Sequence, residues 1–289
     1  MIVTRQAKDR LIEFPGRPLI MGVVNVTPDS FFDGGRFLDT AAAVAHAIQL
    51  VEEGADLLDI GAESTRPGAD VVTEVEECRR AIPVVTAVAK AVSVPISIDT
   101  SKAVVARAAL DSGAVLVNDV TALRGDSAMV DVIAGTGAGI VLMHMHGTPR
   151  TMQLAPCYDN VSAEVAEFFD ERIRFAMAHG IVRRQIILDP GIGFGKLVEH
   201  NLRLLAQLCC FEQFECPVMV GVSQKAFLGQ LVGRQVQERQ WATAAAVAIS
   251  VDRGAGILRV HDVKVMKDVV QVAAAISRQP TISMKAQHA

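Results

Sequence analysis

Eight short apolar runs, each followed by a stretch of helical periodicity, constrain this chain more than any other feature. The runs are Leu19–Val24, Leu57–Ile60, Pro95–Ile98, Val115–Val117, Gly139–Met143, Ile186–Leu188, Val218–Gly221 and Ile257–Val260. They are continuous rather than alternating, and rich in Val, Ile and Leu. A strand buried on both faces of a parallel sheet reads this way. Helical patterns fill the gaps. Thr40–Glu53 ends at Gly54, and Lys102–Ser112 ends at Gly113. Thr73-Glu74-Val75-Glu76 has the form of a capping box opening a helix to Ala91. A short helix covers Ala128–Gly135, and Val165, Phe168, Phe169, Ile173 and Ala176 recur at helical spacing before Gly180. Asn201–Phe211, Trp241–Arg253 and Val263–Ser277 complete the set.

Strand then helix, eight times over, predicts an α/β fold of the (β/α)8 TIM-barrel type. A doubly wound open sheet is the alternative, and eight repeats with no leftover second pattern favour closure. The 289 residues suit one such barrel. Residues 1–18 read as a short N-terminal extension, a lid or hairpin over the barrel bottom; 19–278 form the barrel and 279–289 a loose tail.

Composition narrows the function classes. With 51% hydrophobic and 21% charged residues, a disordered chain is excluded. A net charge of -4 and no basic block argue against nucleic acid. No apolar run approaches the ~18–20 residues of a membrane span. The first ten residues are charged early and lack a signal-peptide core, so a cytoplasmic protein is expected. Five cysteines, an odd number with no CxxC pair, argue against a zinc site or disulfide framework and for reduced thiols.

In a barrel of this type the active site lies at the C-terminal ends of the strands. Polar residues stand at all of them: Asn25; Asp59 before Gly61–Gly68; Asp99; Asn118 and Asp119; His144 and His146; Asp189 before Pro190–Lys196; Ser223, Gln224 and Lys225; and Arg259 with His261. A single such residue reads as a hydrogen bond to a nearby loop. Several carboxylates, an amide and a lysine at one mouth are different, because burying them unpaired is costly and a ligand relieves the cost. Asp99, Asn118, Asp189 and Lys225 suit a flat heterocycle with ring N–H groups, an exocyclic amine and a carbonyl. A carboxylate accepts two parallel bonds from an amidine-like edge, and an amide both donates and accepts.

Arg259 and His261 are two apart and share one side of an extended segment. The first and last strands of a closed barrel are neighbours, so this pair meets Asn25. Together they suit a diphosphate, with Asn25 also reaching a Mg2+ that rides on it. A rim ion pair of Arg259 or His261 with Asp262 or Asp33 is the plainer alternative. Two look-alikes are set aside. Gly191-Ile192-Gly193-Phe194-Gly195-Lys196 has neither the spacing nor the Ser/Thr of a phosphate loop. His144 and His146 have metal-like spacing but no third ligand. Met143, Met145 and Phe194 read as packing residues that are also suited to cover a ligand face.

Several stretches resemble the dihydropteroate synthase family: NVTPDSFFDGG at 25–35, DIGAESTRPG at 59–68, IDTS at 98–101, Asn118-Asp119, LMHMHGTPRTMQ at 142–153, LDPGIGFGK at 188–196 and RVHDV at 259–263. The resemblance implies a transferase of folate biosynthesis, a sulfonamide target. Such an enzyme joins 6-hydroxymethyl-7,8-dihydropterin diphosphate to 4-aminobenzoate and releases pyrophosphate. Its implied cofactor is Mg2+ and its implied assembly a homodimer. By this likeness Asp99, Asn118, Asp189 and Lys225 hold the pterin. Asn25, Thr65, Arg259 and His261 hold the diphosphate, with Asn25 on the metal. Phe31, Arg66 and Pro67 form the aminobenzoate pocket, and Asp33 and Asp99 favour the charged centre. Asp33, Asp99, Lys225, Arg259 and His261 are thus the implied catalytic set. Two other readings stand beside this one: a methyltetrahydrofolate-dependent methyltransferase, which would leave the diphosphate group unexplained, and a pterin-binding paralogue without condensation chemistry. Four positions depart from the family pattern. Gln224 and Ala226 replace an Arg and a Ser, Phe32 stands for Ser, and His146 stands for Gln.

Overall fold

The computed structural model describes residues 3–8, 10–14, 16–27, 36–64, 69, 71–148 and 150–279. It begins with an antiparallel hairpin of β1 (Val3–Ala7) and β2 (Arg10–Phe14). Eight parallel strands follow: β3 (Leu19–Asn25), β4 (Leu57–Gly61), β5 (Ile96–Asp99), β6 (Leu116–Asp119), β7 (Gly139–Met143), β8 (Ile186–Asp189), β9 (Met219–Val220) and β10 (Ile257–Val260). Their order is β8-β7-β6-β5-β4-β3-β10-β9. A parallel bridge between Leu188 and Val218 joins the two ends and closes the ring. The first and last strands are neighbours, with Met21 opposite Arg259. This is the TIM barrel that the eight apolar runs predict.

The helices are α1 (Arg36–Glu53), α2 (Glu74–Ala91), α3 (Ala103–Asp111), α4 (Met129–Thr136), α5 (Val161–Ala178), α6 (Val198–Ala206), α7 (Ala226–Val232), α8 (Gln240–Asp252) and α9 (Val263–Ser277). Three details differ from the sequence expectation. The Asn201–Phe211 pattern is split between α6 and a 3-10 segment at Leu208–Phe214. Helix α7 is not foreshadowed in the sequence; at 7 residues it is too short to show a repeating stripe. Thr73 does cap α2, its Oγ1 accepting from Glu76 N at 3.3 Å. However, the Glu76 carboxylate turns to Arg79 and Arg80 at 2.6–2.7 Å, so only half of the capping box forms.

Strand parity sorts the side chains. Leu58, Ile60, Ile96, Ile98, Leu142 and Leu188 face outward into the core shared with the helices. Leu19, Met21, Leu57, Leu116, Val141 and Ile187 face inward and meet Ala7, Ile12 and Phe14 of the hairpin in a separate apolar cluster. The hairpin therefore plugs the N-terminal end of the barrel. Further along the same inward positions the residues turn polar: Asp59, Ser97, Asp99, Asn118, Asp189 and Arg259. The barrel thus has an apolar floor and a polar mouth. Among the described residues no helix is long and apolar enough to cross a membrane. The tail from residue 280 lies outside the described residues.

Phe14 is 9% exposed and belongs to the floor, remote from the mouth. Phe14→Ala is expected to cost about 3 kcal/mol of stability by transfer and cavity terms. Urea unfolding measures that loss, and ligand affinity of the folded protein should stay unchanged.

Candidate active site

The polar mouth is organised by Arg259. From β10 its side chain passes through the interior to two other strands. Nε donates to Asp59 Oδ2 at 2.6 Å and Nη2 to Asp99 Oδ2 at 2.9 Å. Asn118 donates from Nδ2 to the same Asp59 oxygen at 2.9 Å. Two carboxylates share one guanidinium. Burial works against the Arg259 charge, but Asp59 and Asp99 outweigh it and hold its pKa above the ordinary value. The Asp99 carboxyl is pushed up to about 7, first by burial and then by repulsion from Asp59, with Arg259 pulling the other way. The rim ion pair considered from the sequence does not form with Asp262. That carboxylate accepts from Gln240 Nε2 at 2.8 Å and caps α9 through Val265 N.

Above this network is an open cavity, lined by Asp99, Asn118, Asp189, Lys225 and Arg259 with apolar walls from Val120, Met143, Ile192 and Phe194. Four residues assigned to a heterocycle and one assigned to phosphate thus meet in one chamber. Asp189 accepts from Gly191 N at 2.7 Å. Its pKa is raised by burial, against the pull of that N–H, Lys225, Arg259 and Lys196. Lys225 precedes α7, and its Nζ sits 4.1 Å from the centre of the Phe194 ring. Met143 and Phe194 are cavity walls as well as packing residues.

The Pro190–Lys196 turn that carries Asp189 into place is held from inside. Lys196 is 4% exposed, and its Nζ donates to the carbonyls of Gly191 at 3.0 Å and Phe194 at 2.9 Å. It also lies 3.0 Å from His144 Nδ1. Burial pushes the Lys196 pKa down to about 7, Asp189 opposing and Lys225 adding to the shift. His144 is lowered too, by burial and then by Lys196. Gly191 has φ +66°, and a Cβ there would collide with the His144 carbonyl oxygen, so only glycine fits. These glycines serve a tight turn, not a phosphate loop. His144 is buried against Lys196 through Nδ1, whereas His146 is exposed.

At the rim, Asn25 ends β3 beside Gly61 and is partly exposed. His261 follows β10, and its Nδ1 lies 3.0 Å from Ser223 Oγ, which also accepts from His261 N at 3.2 Å. Gln224 and Ala226 are exposed. Gln224 holds φ +59°, with its N–H on Thr243 Oγ1 and its carbonyl accepting from Arg239 Nη1. Phe31, Phe32 and Asp33 of the first loop, and Thr65, Arg66 and Pro67 of the second, lie outside the described residues. Around the second loop, Val72 N donates to Glu63 Oε1 at 2.8 Å, and Lys102 bridges Glu63 and Glu77 at 2.5 and 2.6 Å.

Sequence reasoning gave no role to Asp59, Lys196 or Ser223. The signal for Asp59 was present: it stands two residues after Leu57 in a buried strand and so faces inward. The roles of Lys196 and Ser223 depend on partners 52 and 38 residues away, which no local pattern announces.

A family model described as pterin binding enzyme matches residues 21–261. The dihydropteroate synthase of Escherichia coli K12 is 45% identical over 258 residues, spanning 89% of this chain and 91% of its own. The structure of Xanthomonas albilineans dihydropteroate synthase with 4-aminobenzoic acid superposes with a TM-score of 0.89 at 44% identity, covering 96% of this chain and all of that one. A Yersinia pestis dihydropteroate synthase in complex with a sulfonamide drug gives 0.89 at 42% identity over 96% of this chain and 99% of its own. A match across nearly the whole barrel, at this level of identity, means that the chain belongs to the pterin-binding enzyme family.

Proposed function

We propose that this protein is a transferase that makes 7,8-dihydropteroate for folate biosynthesis, joining 6-hydroxymethyl-7,8-dihydropterin diphosphate to 4-aminobenzoate with release of pyrophosphate. The observation that carries this reading is the convergence of Asp99, Asn118, Asp189, Lys225 and Arg259 on one cavity in a chain so similar to dihydropteroate synthases. The same likeness favours it over a methyltransferase or an inactive paralogue, and it supports sulfonamides as ligands.

In this reading Asp189 accepts the amidine-like edge of the pterin. Asn118 and Lys225 hold the rest of the ring, with Met143 and Phe194 on its faces. Displacing diphosphate from the CH2 next to the ring by an ionisation-first path leaves positive charge that the ring shares. The Asp99 carboxylate beside the ring favours that charge, and His261 at the rim receives the departing phosphates. No protein nucleophile takes part, because an arylamine already attacks. From sequence alone, Asp33 would add to the anionic field, Thr65 would touch phosphate, and Phe31, Arg66 and Pro67 would hold 4-aminobenzoate.

Mg2+ is the cofactor this reading requires. Asn25 offers one amide oxygen at the rim. Among the described residues no three His, Cys, Asp or Glu side chains gather to hold a metal. That donor set suits an ion held mainly by substrate phosphates and water, as Mg2+ commonly is. When bound, Mg2+ would neutralise charge on the leaving diphosphate. We place the enzyme in the cytoplasm, in keeping with five free thiols. We also assign it a homodimer. Leu231, Val232, Trp241, Ile249, Val272 and Ile276 expose apolar surface on α7, α8 and α9, and Trp241 is 76% exposed.

Single substitutions separate these roles. Asp189→Asn should abolish pterin diphosphate binding, read by calorimetry; near-native affinity would remove Asp189 from the site. His261→Ala should weaken pyrophosphate binding while sparing the pterin alcohol. Arg259→Ala should weaken both, because Arg259 lines the ring cavity itself. The active form of Asp99 is the carboxylate and its pKa is raised to about 7, so kcat/KM should fall as pH drops below that value. The stability sign is opposite. An unfolded aspartate has a pKa of about 3.9, so ionising the folded residue costs stability as pH rises from there towards 7. Asp99→Asn should therefore lose activity yet gain more thermal stability over the native protein at pH 8 than at pH 5. Finally, Trp241→Arg should yield monomers in sedimentation analysis; an unchanged dimer would place the interface elsewhere. A single-turnover assay that follows both pyrophosphate and dihydropteroate tests the reaction as a whole, and release without condensation would contradict it.

A further inference from the structure

Asp59 is fully buried and does not reach the wall of the ligand cavity, yet it touches two residues that do. Its Oδ2 accepts from Asn118 Nδ2 at 2.9 Å and from Arg259 Nε at 2.6 Å. We infer that Asp59 is the positioning residue of the pterin site, fixing which atoms Asn118 and Arg259 turn toward the ligand. The inference rests on the pterin-binding reading above and extends it to a residue that never meets the ring.

A carboxylate offers only acceptors, so the Asn118 amide must present its NH2 to Asp59. The carbonyl oxygen is then the atom left over. Asn118 Oδ1 is buried and has no partner among the described residues. Buried polar atoms are paired in native structures, and of the unpaired ones only this belongs to a residue that lines the cavity, so it marks the place of a ligand N–H. Without Asp59 the amide would be free to flip and offer a donor instead. The specificity of the cavity for an N–H-rich edge is thus set one layer below the ligand.

Arg259 is governed in the same way. Its guanidinium is planar, and two of its nitrogens are tied to carboxylates on different strands, Nε to Asp59 on β4 and Nη2 to Asp99 on β5. Two anchors fix the plane of the group. Asp59 also acts on Asp99 through charge, as the second contribution to its raised pKa after burial. A residue that merely neutralised Arg259 would influence folding but would not set the orientation of Asn118.

The test is a double-mutant cycle of Asp59→Asn and Asn118→Ala, read by calorimetric binding of pterin diphosphate, steady-state kinetics and thermal melting. Asp59→Asn should weaken pterin diphosphate binding about tenfold or more while changing KM for 4-aminobenzoate less than about twofold. In the Asn118→Ala background the same change should cost less than about threefold, because the amide it orients is gone. The acidic limb of the kcat/KM profile should also move to lower pH as Asp99 loses a neighbouring charge. Equal penalties in both backgrounds, or near-native binding by Asp59→Asn, would overturn the inference. Should Asp59→Asn fail to fold, Asp59→Ser carries the same cycle with the same outcomes. Binding is read without turnover. A native protein that binds pterin diphosphate but fails to condense it would therefore defeat the synthase reading and leave this one standing.

Discussion

The Arg259 guanidinium holds the upper half of this barrel in register. It draws β10, β4 and β5 together through Asp59 and Asp99, while Asn118 on β6 leans on the same Asp59 oxygen. Such a cluster is a poor source of net stability, since removing charges from water costs about what their attraction returns. It is nevertheless hard to dismantle, because deleting one member strands the others. Its imbalance matters most. Two carboxylates share one guanidinium, and that surplus adds to burial in raising the pKa of Asp99. A cavity with an unpaired buried acceptor at Asn118 is poised for a ligand that brings N–H groups.

The apolar floor makes that cluster tolerable. Inward positions near the N-terminal ends are filled by Leu, Ile, Val and Met and sealed by Phe14 and Ile12 of the hairpin. Asp59, Asp99 and Asn118 are buried above that floor, so the charges act at low effective dielectric. The floor also fixes strand register, and register decides that Asp59, Asp99 and Asn118 face inward. Fold and site are therefore one problem along each strand: hydrophobic below, polar above, with parity conserved throughout.

The barrel itself was legible because each strand is a continuous apolar run and each ends in a polar residue. Asp99, Asn118, Asp189 and Lys225 stand out in the sequence because they sit at or just past the C-terminal ends of those runs. The network beneath them does not stand out. Asp59 and Arg259 are 200 residues apart, and neither run of sequence says which acid an arginine will choose. Arg259 reads as a phosphate ligand because it stands next to His261, whereas its own side chain turns inward and His261 stays at the rim with Ser223. Helix α7 is too short to leave a periodic trace, and the half-formed capping box at Thr73 shows arginines competing for the Glu76 that the motif assigns to the backbone.

The two ends of the proposed site differ in construction. The ring end is built on strands and on a turn locked by Lys196 and Gly191, where an added methyl group would strike a backbone oxygen. Side chains there have little freedom, which suits recognition of a flat ring by hydrogen bonds of fixed direction. The rim offers Asn25 and His261, two partly exposed side chains. Phosphate oxygens, with the Mg2+ proposed to ride on them, would need charge within reach more than fixed geometry. An enzyme that separates a ring cation from its diphosphate gains from holding the first rigidly and the second loosely. The ring then stays aligned for the incoming amine while the leaving group departs.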